Sequence, residues 1–99
     1  MSFYQVTSSE LRARAEEMRN LNSRFKSEEE ALRGYEQNLK TMWEGEANEV
    51  FHAAFTHDAS SMDLFHDAVE QYIEALLVIA ERYEIAERKN AEMARNRTY

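Results

Sequence analysis

Leu39-Lys40-Thr41-Met42-Trp43-Glu44-Gly45-Glu46-Ala47-Asn48-Glu49 holds the one strong break in the chain. Gly45 is the only glycine after Gly34, and there is no proline at any position. A left-handed, helix-ending backbone comes cheaply chiefly to glycine, so the spacing predicts a chain reversal at residues 43–46. On both sides the hydrophobic pattern has the helical period, which makes the protein a pair of helices joined by a tight turn.

Toward the N-terminus the helix start is well marked. Thr7 followed by Glu10 forms a capping box, and Val6 and Leu11 stand where a hydrophobic staple would place them. Leu11, Met18, Phe25, Leu32 and Leu39 then recur every seven residues, with Ala15, Leu21, Tyr35 and Met42 between them. A heptad stripe of this length predicts a helix over about 8–42 that packs along its whole extent. Asn22 and the run Glu28-Glu29-Glu30 leave a gap in the stripe, and Gly34 is tolerated inside it at about 1 kcal/mol.

Beyond Gly45, Phe51, Phe55, Met62, Phe65, Val69, Tyr72, Leu76, Ile79, Tyr83, Ala86 and Met93 carry a second periodic run, interrupted by Asp58. It predicts a helix over about 47–93, with a bend near Thr56–Ser61 and a frayed tail from Ala94 to Tyr99. Ala47, Ala54, Ala68 and Ala75 form a small-residue row suited to close approach by another helix. The whole chain, 1–99, is thus read as a single helical-hairpin domain.

Composition narrows the function. Sandwiches and barrels need frequent turns drawn from Gly, Pro and Asn, which two glycines and no proline do not supply. Without cysteine there is no disulfide scaffold, thiolate metal site or cysteine nucleophile. A net charge of −7 opposes binding to a phosphate backbone, so no nucleic acid partner is expected. The longest apolar stretch, Ala75–Ala80, is too short to span a bilayer, and stable membrane insertion is not expected. The opening residues, from Met1 to Arg14, do not read as a secretory leader.

A lone hairpin cannot cover the apolar face of its second helix. Phe65, Val69, Tyr72, Ile73, Leu76, Leu77 and Ala80 are therefore expected to form a dimer interface, two hairpins making an elongated four-helix bundle. The fold class is all-α: an antiparallel two-helix hairpin that dimerises.

No catalytic, cofactor-binding or metal-binding residue is assigned. Glu49-x-x-His52 and Asp63-x-x-His66 have the carboxylate-x-x-His spacing of di-metal bundles. Both lie on one helix, roughly 21 Å apart, whereas such a site needs them on facing helices. The serines and histidines lack the sharp turn and glycine-rich loop that would build a nucleophile and its oxyanion hole. Charge is segregated: residues 41–81 contain acidic side chains and no Lys or Arg, while Arg82, Arg88, Lys89, Arg95 and Arg97 follow. This either steers a basic partner to the second helix or keeps an apolar helix soluble.

Trp43-x-Gly45 at mid-chain, flanked by heptad helices in a polypeptide of this length, resembles the WXG family of early-secreted-antigen-like proteins. Tyr83-Glu84-Ile85-Ala86-Glu87 is similar to the family's Tyr-x-x-x-Asp/Glu element, its spacing setting Tyr83 and Glu87 on one helical face. The resemblance implies a substrate of a type VII (ESX-like) secretion system, made in the cytoplasm and exported as a folded dimer without a cleaved signal peptide. It implies recognition by an FtsK/SpoIIIE-type ATPase through Trp43, Gly45, Tyr83 and Glu87. Pairing with itself or with a sister family member, and a carrier or chaperone role for larger effectors, are implied as well. The alternative is a cytosolic coiled-coil adaptor in which the turn motif has no export role.

Overall fold

Thr7 starts the first helix through its own side chain. Its Oγ1 accepts the Glu10 N–H at 3.1 Å and its carbonyl accepts the Leu11 N–H at 3.0 Å, which satisfies two of the amides that a helix start leaves open. In the computed structural model, which describes residues 6–97, two helices follow: α1 (Ser8–Met42) and α2 (Glu46–Asn96). No strand occurs among the described residues. The helices run antiparallel as a hairpin with principal extents of 84 × 24 × 20 Å.

The reversal falls at Trp43-Glu44-Gly45, but by a different route from the one expected. Trp43 itself leaves α1 in an extended conformation (φ −120°, ψ 113°), its N–H donating to the Leu39 carbonyl at 2.9 Å. Gly45 then opens α2 rather than closing α1. Its carbonyl accepts the Asn48 and Glu49 amides at 3.2 and 3.4 Å. Its φ of 123° with ψ of 176° lies outside the left-handed helical region, in territory that only glycine occupies comfortably. Glu46 and Glu49 in the first turn of α2 complement the positive end of its dipole.

The phase of the seam is the principal departure from the sequence reading. The residues that α1 buries are Ser8, Ala15, Asn22, Glu29 and Glu36, also seven apart. Opposite them α2 buries Ala59, Ile73 and Ala80. The larger residues Leu11, Met18, Phe25, Leu32 and Leu39 sit one row to the side, from half-buried to exposed. Alanines at the contact let the two backbones approach, and each buried polar side chain finds a partner on its own or the facing helix. Among the described residues no buried side-chain nitrogen or oxygen is left without a hydrogen bond. The alanines that pack here are Ala15, Ala59 and Ala80, whereas Ala47, Ala54 and Ala75 are exposed and Ala68 is half-buried.

α2 continues past the expected end at Met93 to Asn96, with the Arg97 N–H on the Met93 carbonyl at 3.2 Å. Residues 81–96 are rich in Glu, Arg and Ala, which sustain a helix without tertiary support. α2 runs unbroken through Thr56–Ser61, where Ala59 packs into the seam. Of the tail expected to fray, Thr98 and Tyr99 lie outside the described residues. Gly34 lies inside α1, and an added Cβ there would meet nothing within 4 Å. Gly34→Ala should therefore raise the unfolding free energy by roughly 0.5–1 kcal/mol, read from urea denaturation.

Candidate functional site

Three features stand out on the hairpin: the turn, the open end and the two long faces. At the turn the Trp43 ring lies 5.7 Å from Phe51, which in turn lies 6.4 Å from Phe55. Leaving α1 in an extended conformation, Trp43 folds its ring back over the first turns of α2. It remains 37% exposed, so the indole is only partly covered by this contact. Gly45 supplies the backbone geometry that this fold-back requires.

Tyr83 and Glu87 stand at the opposite end. The unbroken α2 separates Tyr83 from Gly45 by roughly 55 Å, so Trp43 and Tyr83 of one chain do not meet. Tyr83 is 43% exposed. Glu87 is engaged: Oε1 accepts the Ser8 N–H at 3.1 Å and Oε2 accepts the Ser8 hydroxyl at 3.0 Å. One turn further into the hairpin, Arg12 pairs with Glu84. The open end is therefore tied by two adjacent polar contacts between α1 and α2, and neither is visible in the sequence pattern.

The two long faces differ sharply. On one side Arg12, Arg19, Lys26, Arg33 and Lys40 recur every seven residues along α1, alongside the α2 row Asp63, Glu70, Leu77 and Glu84. Lys26 Nζ lies 3.3 Å from Asp63, and Arg33 Nη2 lies 2.8 Å from Asp63 and 2.9 Å from Glu29. Glu29 is 1% exposed and also takes Lys26 at 3.5 Å. Asn22 Nδ2 donates to the His66 carbonyl at 3.1 Å and to Glu70 at 2.9 Å, and His52 pairs with Glu36. Exposed ion pairs are worth only about 0–1 kcal/mol each. The short turn already imposes the antiparallel sense, so what this ladder favours is one register between the two helices, as flanking charges do in coiled coils.

The Glu84 carboxyl is held below its usual value of 4.5 by its hydrogen bond with Arg12, and by attraction to Arg12 and Arg88. Asp63 is held below its usual 3.8 by hydrogen bonding with Glu29 first, then by Lys26 and the charge of Arg33. A carboxylate with a lowered folded-state pKa contributes stability that is complete above its unfolded value and lost as pH falls through the folded one. The melting temperature should thus be flat near neutral pH and decline from about pH 4.5 downward. Arg12→Gln should flatten part of that decline.

The opposite face is apolar. Met18, Leu21 and Phe25 of α1, with Phe65 and Val69 of α2, line a groove of about 310 Å³ beside Asn22, and the Phe25 and Phe65 rings stand 5.4 Å apart. Of the residues expected at a dimer interface, Phe65 and Tyr72 are 58% and 65% exposed, and Val69, Leu76 and Leu77 are half-buried. Leu77 lies in the row that holds the acidic residues, away from the groove. Ile73 and Ala80 are corrected: at 1% and 0% exposure they belong to the hairpin's own seam and are closed to a second chain. Leu21, from α1, was not among the expected interface residues, although at 65% exposure it stands open on this face.

The residues considered for a di-metal site are apart. Asp63 faces Lys26 and Arg33, His52 faces Glu36, and His66 lies beside Asp67 and Glu70. Among the described residues no group of three or more His, Asp or Glu side chains is placed to hold a metal ion, and no helix is long and apolar enough to cross a membrane.

A two-helix hairpin with a Trp-x-Gly turn and one apolar face defines a class of small helical proteins. The family described as proteins of 100 residues with WXG (WXG100) matches residues 4–88, and the chain belongs to that family. In architecture it is similar to the secreted protein EsxB of Bacillus anthracis. One EsxB crystal structure aligns over 88% of this chain and 99% of its own at 22% identity, with a TM-score of 0.78. A second, of the wild-type protein, covers 84% of this chain and 89% of its own at 23% identity, with a TM-score of 0.75. A comparison with curated proteins found no match.

Proposed function

We propose that this chain is a small exported protein of a type VII secretion system, acting without enzymatic activity as a folded helical-hairpin dimer. The observation that carries the reading is Trp43-x-Gly45 at the hairpin turn of a WXG100 chain, where the indole is braced by Phe51 and half open. The secreted EsxB structures that share the fold add support. Tyr83 and Glu87 supply the second recognition element, read by an FtsK/SpoIIIE-type ATPase, and export needs no cleaved signal peptide. A carrier or chaperone role for larger effectors follows from the same reading.

The distance between Trp43 and Tyr83 gives the dimer a purpose. The apolar face of Leu21, Phe25, Phe65, Val69, Tyr72 and Leu76 takes a second hairpin, a copy of this chain or a sister family member. An antiparallel arrangement brings the turn of one protomer to the open end of its partner. Recognition then exists only in the assembled particle. In a bacterium carrying the matching secretion system, Trp43→Ala and Tyr83→Ala should each abolish the secreted fraction while the cytoplasmic pool persists, measured by immunoblot of medium and cells. Normal export of both variants would instead favour a cytosolic coiled-coil adaptor.

A further inference from the structure

Ser8 and Glu87 are separated by 79 positions in sequence and joined by two hydrogen bonds. The contact falls at a point of special chemistry. Ser8 is the first residue of α1, and its N–H is one of the amides that no intrahelical carbonyl can satisfy. The partial positive charge of a helix start favours an anionic acceptor there. Glu87 supplies it from the other helix, and the Ser8 hydroxyl supplies a second donor to the other carboxylate oxygen. Ser8 is buried, whereas residues 88–96 of α2 are all exposed. Glu87 thus ties α2 to the first residue of α1 near the open end of the hairpin.

We propose that Ser8 is a positioning residue for the C-terminal recognition element, which is therefore built from both helices: Tyr83 displayed, and Glu87 clamped by the start of α1. This rests on the export reading given above and adds to it the means by which the element reports a closed hairpin. A Glu side chain on a free helix samples many rotamers. Held at both oxygens, it has one, and a receptor meets Tyr83 and Glu87 in a fixed relation without bearing the ordering cost itself. An open or misfolded hairpin keeps the residues and loses the arrangement.

Proline offers a clean test because Ser8 occupies the first helical position. There a missing N–H breaks no helical hydrogen bond, and Thr7 before it is already extended (φ −96°, ψ 159°), as a residue preceding proline prefers. Ser8→Pro removes both donors to Glu87 and keeps the helix start. Its secreted fraction should fall roughly fivefold, the equivalent of about 1 kcal/mol, with helicity and particle mass unchanged. Ser8→Thr retains both donors and should export as the wild type does, whereas Ser8→Ala retains only the amide and should fall between. Wild-type export of Ser8→Pro beside a blocked Tyr83→Ala would overturn the positioning role and leave the export reading intact. Wild-type export of Tyr83→Ala would overturn both. Loss of helicity or of dimer mass in both Ser8→Pro and Ser8→Ala, in step with export, would make Ser8 merely structural and overturn the proposal.

Discussion

Ile73→Ala is expected to lower the unfolding free energy by about 2–5 kcal/mol, the usual cost of removing a large buried aliphatic side chain. Ile73 is the largest fully buried apolar side chain among the described residues, and the other buried apolar positions of the seam are alanines: Ala15, Ala59 and Ala80. Domains of this size hold only about 5–15 kcal/mol in total, so the variant should melt tens of degrees earlier or fail to fold at physiological temperature. Tyr72→Ala provides the contrast. Tyr72 adjoins Ile73 in sequence but is 65% exposed, and its loss should leave the isolated hairpin nearly as stable. Thermal melts of both variants, followed by circular dichroism at one protein concentration, check the comparison. Equal losses would mean that the face carrying Tyr72 contributes as much to stability as the seam does.

That contrast also marks what the sequence can and cannot say about this fold. Length of helix, place of reversal and helix start were legible because they depend on local chemistry: Thr7 and Glu10 at the start, Gly45 at the turn, no proline anywhere. The heptad period was legible too, but its phase was not. Asn22, Glu29 and Glu36 look like solvent positions in isolation. They are buried because His66, Glu70, Lys26, Arg33 and His52 satisfy them, and most of those partners arrive from the far helix. With the polar row taken as the outside, Leu11, Met18, Phe25, Leu32 and Leu39 read as the seam. They stand instead beside the seam, on the side that faces away from the ion-pair ladder.

The same shift moved Ile73 and Ala80 off the expected interface and brought Leu21 and Phe25 onto the face that remains open. Trp43 and Gly45 could be placed from local pattern alone. The clamp on Glu87 could not, since nothing in the spacing of Tyr83 and Glu87 refers to Ser8. The basic row on α1 was present in the sequence at intervals of seven, and it becomes meaningful only when Asp63 and Glu84 are seen to lie along it.

If the chain dimerises as proposed, Phe65→Asp should convert the particle from about twice 11.7 kDa to 11.7 kDa while leaving it helical, measured by light scattering and circular dichroism. A wild-type mass of 11.7 kDa would overturn the self-paired dimer. Phe65 is 58% exposed and lies outside the seam, so the hairpin loses chiefly its ring contact with Phe25, worth roughly 0.5–1.5 kcal/mol beyond the buried area. The dimer loses far more. A stable association needs on the order of 1,000 Å² or more of buried surface, and a hairpin this narrow offers that only by using most of its apolar face. A carboxylate placed among Leu21, Phe25, Val69 and Tyr72 would be desolvated on association with no cation opposite, which costs several kcal/mol. Leu64→Asp is the control, because Leu64 adjoins Phe65 and is 71% exposed, yet it points away from the groove. It should leave the mass at the dimer value. If Phe65→Asp also remained dimeric, the apolar face would not be the interface, and the seam residues would account for the hairpin alone.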